Sequence, residues 1–375
     1  MGQRMNRTWS KWIAAFLIII FSWLLLQRIY GFLFQNPYPP GYDARSYIAA
    51  ATALRYGLDP YDGSSTSLEK IANYSFSQYL YPPFLAVLLI PLSLLPIISA
   101  SYFCVALAFL SAIFFFILLR QTLGWKTAFL AVFIFPPTWQ TIYLGQVNFF
   151  VAALLLLSIY AIQSNHEVKL GTYLFLGILL KITPLVSTMV LFLQGYKRSI
   201  IAGLITVLII VLVMLPVTSL NLWIKGSFHA ILVLAHTPYF ASWTGLLTYY
   251  FPRYGDIVSW ILSGVIILYT ALRIKKISAV MALSATIIVP LLIARIIWEH
   301  HSVMALPALA ILTKQSQGSR ILAIFSWLMI AAFGWKLMPW VLTLCWIVCC
   351  WPNIILRLET WLDRSSMSKR QIESL

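Results

Sequence analysis

Residues 199–217 read SIIAGLITVLIIVLVMLPV. A helix rises 1.5 Å per residue, so an uncharged run of this length reaches across the ~30 Å hydrocarbon layer of a bilayer. It is apolar on every side and has no face to offer water. The rest of the chain repeats the pattern: of its 375 residues, 61% are hydrophobic and 10% charged. A soluble domain carries about 25% charged residues. One core cannot hide so much apolar surface, and the excess must face lipid. Soluble, disordered, collagenous and disulfide-scaffold classes are excluded, leaving an all-α polytopic membrane protein, a single integral-membrane domain over 1–375.

Basic residues set the expected topology. Arg4, Arg7 and Lys11 precede the apolar run Trp12 to Phe34, which is too long for a signal-peptide core and reads as an anchor with its N-terminus inside. The 35–99 stretch is the least hydrophobic and holds Asp43, Asp59, Asp62 and Glu69, four of the ten acidic residues; it is expected outside the cytoplasm. Within it, 82–96 is apolar but short and bracketed by Pro82, Pro83, Pro91 and Pro96. It reads as a re-entrant or interfacial hairpin, with a short true crossing as the alternative. Further spans are expected near 100–119, 126–144, 147–163, 169–183, 184–196, 199–217, 257–272, 278–296, 302–313, 320–335 and 338–352. That makes about twelve transmembrane helices, with a large first outer loop (35–99), a bundle over 100–352 and a cytoplasmic tail over 353–375. With this arrangement 17 of the 26 basic residues fall inside, among them Arg120, Lys169, Lys197, Arg198 and Arg273. The net charge of +16 is thus a membrane-topology signal. No basic face with interleaved aromatics points to nucleic acid. Cys104, Cys345, Cys349 and Cys350 lie in apolar runs without metal spacing.

The polar groups left over converge on the outer face. Asp43 follows the first span, where partial desolvation can tune a carboxylate into a general base; it equally suits the cap of a helix starting near Ala44. Asp59 and Asp62 flank Pro60-Tyr61 as turn residues do. Lys181 precedes Pro184 near a span end, and Arg295, His300 and His301 follow another apolar run. A cation at such depth is a functional hypothesis by default, with snorkelling to the interface as its alternative. Gln146 and Asn148 open a span, where amides can bind sugar hydroxyls or satisfy loop backbone. Glu299-His300-His301 is contiguous, so its side chains diverge and do not read as a zinc site. Trp139, Tyr143, Tyr239, Trp243 and Trp298 fit an interfacial belt, or a stacking platform.

In order along the chain stand Asp43 after the first span, Gly57-Leu58-Asp59-Pro60-Tyr61-Asp62, Tyr81-Pro82-Pro83, Gly145-Gln146-Val147-Asn148, Lys181-Ile182-Thr183-Pro184 and Trp298-Glu299-His300-His301. This set, over roughly 35–310, resembles glycosyltransferase family 87. The resemblance implies a GT-C-like bundle with re-entrant or juxtamembrane helices, in the plasma membrane of a bacterium, its site extracytoplasmic. It implies inverting transfer of a hexose, mannose first, from a polyprenyl-phosphate sugar to a lipid or glycan acceptor. Asp43 matches the family's catalytic Asp. Arg295, His300, His301, Lys181 and Arg45 are then candidates for the donor phosphate, and Gln146, Asn148, Tyr81, Trp298 and Asp62 for the substrates. No cofactor is expected, although a divalent cation on Asp43 has relatives in its favour. The competing classes are a transporter or lipid-glycan flippase, which calls for polar residues in mid-span, and a scaffold subunit, which leaves Asp43, Lys181 and Arg295 without a reason to share a side.

Overall fold

The computed structural model describes residues 2–61, 79–233 and 241–354. Among these, every regular element is a helix. In chain order they are α1 (Gly2–Gln35), α2 (Tyr42–Arg55), α3 (Pro83–Leu88), α4 (Ile97–Leu123), α5 (Trp125–Phe133), α6 (Pro136–Tyr143), α7 (Asn148–Gln163), α8 (Glu167–Leu180), α9 (Thr188–Leu193), α10 (Lys197–Met214), α11 (Leu220–Val233), α12 (Trp243–Tyr250), α13 (Gly255–Ile274), α14 (Ala279–Ile293), α15 (Leu306–Leu312), α16 (Gln317–Phe333) and α17 (Met338–Cys350). Short 3-10 segments cover Thr183–Ser187 and Glu299–Ala305, among others.

The stretches Ile97–Leu123, Lys197–Val217, Gly255–Ile274 and Gln317–Lys336 are long and apolar enough to cross a membrane. Shorter apolar helices, Asn148–Gln163 and Ala279–Ile293 among them, pack beside these. The protein is a helical, polytopic membrane protein. One expected span is not continuous. The 126–144 run breaks at Phe135, whose backbone is extended (φ −85°, ψ 112°) ahead of Pro136. A residue before proline resists the helical conformation, and Pro136 and Pro137 have no N–H to continue the ladder. In the 82–96 segment, Pro83–Leu88 has six residues and Pro91–Leu94 four, so neither helix alone reaches across hydrocarbon.

Packing contacts decide which loops share an end of the bundle. Gly171 lies against Ser199, and Phe175 against Gly203. The same increment along both helices means that α8 and α10 run parallel, with 181–196 returning the chain between them. A Cβ on Gly171 would lie 1.9 Å from the Ser199 carbonyl oxygen, so only glycine permits this approach. Near the start of α10, Gln194 Nε2 donates to the carbonyls of Ile274 at 2.7 Å and Ile277 at 3.1 Å. Arg273 Nε donates to Cys350 O at 3.0 Å, and Tyr160 Oη to Leu118 O at 2.8 Å. Arg120, Lys169, Lys197, Arg198, Arg273, Lys275 and Lys276 therefore gather at one end. Lys181, the 143–148 turn and the start of Glu299–Ala305 gather at the other.

The first loop is pinned to that second end. Gly41 N donates to Tyr143 O at 2.7 Å and Ala44 N to Leu144 O at 3.2 Å. Both chains turn on left-handed glycines, Gly41 at φ 71° and Gly145 at φ 72°. A Cβ at 145 would meet the Ala44 Cβ at 2.8 Å, and one at 41 would meet the Ser101 Cβ at 2.8 Å. The start of α2 is thus wedged between α4 and the turn that opens α7.

Candidate active site

Asp43 is not the cap of its helix. The cap position is Gly41, which makes no side-chain capping bond, and Asp43 stands inside the first turn of α2. There a negative group meets the positive end of the helix dipole. Its carboxylate Oδ2 instead accepts from Gln146 Nε2. Gln146 Oε1 in turn accepts from Tyr47 Oη and Tyr81 Oη, each at 2.9 Å. The two phenols also meet each other at 2.9 Å. Tyr47 lies four residues beyond Asp43, on the same helix face. Tyr81 is held by Tyr61 Oη, which donates to the Tyr81 carbonyl at 2.7 Å.

Lys181 approaches from the end of α8. The chain is extended there (φ −157°, ψ 132°), three residues ahead of Pro184, so the helix stops and the side chain turns inward. Lys181 Nζ donates to Asn148 Oδ1 at 2.8 Å and lies 5.4 Å from the centre of the Tyr81 ring. Asn148 Nδ2 reaches the His300 carbonyl at 3.4 Å, and Thr141 Oγ1 donates to the same oxygen at 3.1 Å. Asp43, Gln146, Tyr81, Asn148, Lys181 and His300 thus form one connected group. Gln146, Asn148, Lys181 and His300 are all buried.

Burial pushes the Asp43 carboxyl up to about 6, against the lowering pulls of the Gln146 hydrogen bond and the Lys181 charge. Burial and the Lys181 charge push His300 down to about 3 and His301 well below the usual histidine range. Both imidazoles are neutral near pH 7. His301 Nδ1 accepts from Trp298 N at 3.0 Å, which leaves its proton on Nε2. His300 Nε2 is buried with no hydrogen-bond partner. The rings lie 4.5 Å apart at 58°.

Other expected residues lie apart from this group. Arg295 pairs with Asp256 at 3.1 Å and lies 5.4 Å from the Trp260 ring centre, drawn toward α13. Arg45 is half-buried on α2. The Trp298 ring is 39% exposed and stacks parallel to His300 at 6.4 Å. Asp59 accepts from Tyr61 N at 2.8 Å, the local turn bond, and pairs with Lys225 of α11. Asp62, Glu69, Tyr239 and the tail from 355 lie outside the described residues. Among the described residues, no three His, Cys, Asp or Glu side chains are grouped to hold a metal ion.

Glu299 is a strut. It pairs with Arg28 of α1 and accepts from Gln140 Nε2 at 3.3 Å. Arg28 Nη1 donates to the carbonyls of Ile330 and Ala331 at 2.8 Å each. One buried ion pair therefore ties α1, α6 and α16 to the segment that carries His300. Burial pushes the Glu299 carboxyl up, and Arg28 opposes the rise. Sequence reasoning left Arg28, Tyr47 and Thr141 without roles. A charge inside the apolar run Trp12 to Phe34 was the available signal for Arg28, and the i, i+4 spacing from Asp43 was that for Tyr47.

The sequence profile of glycosyltransferase family 87 matches residues 79–298, more than half of the chain. The chain belongs to glycosyltransferase family 87. No curated protein and no solved structure matches it. As a membrane glycosyltransferase it uses a sugar donor and an acceptor. The family match takes in Tyr81, Gln146, Asn148, Lys181 and Arg295, while Asp43 and the two histidines lie beyond its limits. The hydrogen bonds above join those inside to those outside.

Removing one partner of a buried ion pair leaves the other charge unsatisfied, at a cost of about 3–5 kcal/mol. Arg28→Ala should therefore lower the apparent Tm in detergent by several degrees. The double variant Arg28→Ala/Glu299→Gln should recover part of the loss, because its neutral amide needs no cation. A single variant as stable as the native protein would contradict the strut.

Proposed function

We propose that this chain transfers a hexose, mannose first, from a polyprenyl-phosphate sugar to a hydroxyl of a lipid or glycan acceptor, with inversion, at the outer face of a bacterial plasma membrane. The observation that carries this reading is one largely buried group holding both a half-buried carboxylate and a buried lysine amine, at the bundle end opposite the basic loops. Glycosyl transfer between two lipids asks for a base on one side and an anion-binding group on the other.

Asp43 takes the proton of the acceptor hydroxyl as its oxygen attacks the anomeric carbon. The bond from that carbon to the phosphate oxygen breaks, and its electron pair leaves with the polyprenyl phosphate. Negative charge gathers on the departing phosphate, and Lys181 is the cation closest in the network to receive it. His300 Nε2 and His301 Nε2 face the same task as neutral groups, the latter carrying its proton. Arg45 and Arg295 are secondary candidates, Arg295 only by leaving Asp256. Asn148 positions Lys181, and Tyr81 and Trp298 supply aromatic surface for the sugar. The chemistry rests on the chain's own charges, with no metal or other cofactor. About twelve crossings with both ends inside account for the separation of basic loops from the site under the positive-inside rule.

Asp43→Asn keeps the shape and the bond to residue 146 but cannot take a proton. Purified protein given polyprenyl-phospho-hexose and membrane lipids should form a lipid-linked product visible by mass spectrometry. The Asn variant should lose about 10²–10⁴ in rate at unchanged stability. A base must be ionised to act, so native turnover should fall as pH drops through about 6, where the Asp43 carboxyl titrates. Near-native turnover in Asp43→Asn would refute the assignment.

Leu58 is exposed just past the end of α2 and Lys275 is exposed at the basic end, while the four native cysteines are buried. In intact cells an impermeant thiol reagent should label Leu58→Cys and spare Lys275→Cys. The reverse pattern would put the site inside the cell.

A further inference from the structure

We infer that Tyr47 and Tyr81 are positioning residues that hold the Gln146 amide one way round, and so fix which carboxylate oxygen of Asp43 takes the proton. This rests on the assignment of Asp43 as the base. The two ends of a glutamine amide are nearly the same size, and the hydrogen-bond network around them chooses the orientation. Here both phenols converge on Oε1 at 2.9 Å. Phenolic O–H groups are donors that suit a carbonyl oxygen with two lone pairs. With Oε1 occupied, Nε2 has one direction left, and that is Asp43 Oδ2. The amide thus occupies Oδ2 and leaves Oδ1 as the basic oxygen.

The reversed amide is disfavoured from both sides, and the tyrosines raise its cost by aiming two phenolic O–H groups at the Oε1 position. Turned over, it would set Oε1 against the Asp43 carboxylate, two acceptors face to face, and would withdraw the one neutral donor that favours the ionised form. The other groups facing Asp43 are Lys181 from the end of α8, Tyr47 on its own helix and Tyr81 from the stretch before α3. Cys104 of α4 reaches only as far as Tyr47. Lys181 acts through space, so the amide is the directional contact. Tyr81 also lies over Lys181, whose Nζ is 5.4 Å from its ring centre.

The test is infrared difference spectroscopy of the purified full-length protein, without substrate, across a pH titration. The protonated carboxyl of Asp43 gives a C=O band that is absent in Asp43→Asn. Its midpoint should rise by about one pH unit in Tyr47→Phe/Tyr81→Phe, the size expected from losing one charge-assisted hydrogen bond. Gln146→Met removes the donor without touching the tyrosines and should raise the midpoint similarly, should the double variant not fold. Each single Tyr→Phe variant keeps one donor on Oε1 and should shift the midpoint much less. Tyr160→Phe loses a hydroxyl that donates to the Leu118 carbonyl at the opposite end of the bundle and should leave the midpoint in place. An unmoved midpoint in the folded double variant, or in Gln146→Met, overturns the inference. The band is read without turnover, so an active Asp43→Asn would defeat the base assignment and leave this outcome separately readable.

Discussion

The site depends on one backbone docking: the first turn of α2 laid on the turn that opens α7. Gly41 N on Tyr143 O and Ala44 N on Leu144 O are ordinary hydrogen bonds. Their consequence is larger, because they place a loop carboxylate against an amide that belongs to the bundle. Gly145 makes the approach possible twice over, by its positive φ and by the missing Cβ that would strike Ala44. From that contact follow Gln146 on Asp43, then the two tyrosines on Gln146, then Lys181 beneath Tyr81. Misplacing a reacting group by about 1 Å can cost 10² in rate, and the glycine contacts with Ala44 and Ser101 hold this junction in register.

Charges at this end of the molecule divide into two kinds. Arg28 with Glu299, Lys225 with Asp59 and Arg295 with Asp256 are partnered cation to carboxylate, and each ties separate parts of the chain together. Lys181 is held differently, by an amide oxygen and an aromatic face. A lysine so held keeps donors for an incoming anion, where a tight carboxylate partner would occupy them. His300 Nε2, buried and unpartnered, lies in the same group. Desolvation makes each such arrangement costly, which fits the proposed chemistry.

Much of this was legible in the sequence. Composition alone required a membrane protein, and charge spacing foretold that Lys169, Lys197, Arg198 and Arg273 would share an end. Asp43, Gln146, Asn148, Lys181 and His300 were each marked by polarity at the edge of an apolar run, and they meet. Partnering was not legible. Arg295 looked as well placed as Lys181, yet Asp256, in a separate helix, claims it. Asp43 at a helix start suggested a cap, a local role, whereas its true partner lies about a hundred residues on. The Phe135 break was foreshadowed by Pro136-Pro137, whose effect on the helix is purely local.

The most direct test of the central claim is a cryo-electron microscopy structure of the protein bound to a non-transferable phosphonate analogue of a polyprenyl-phosphate sugar. The phosphonate should lie within hydrogen-bond distance of Lys181 Nζ, with the anomeric carbon turned toward Asp43 and room for a hydroxyl between them. A phosphonate seated on Arg295 away from Asp43, or at the basic end among Lys197, Arg198 and Lys275, would contradict it.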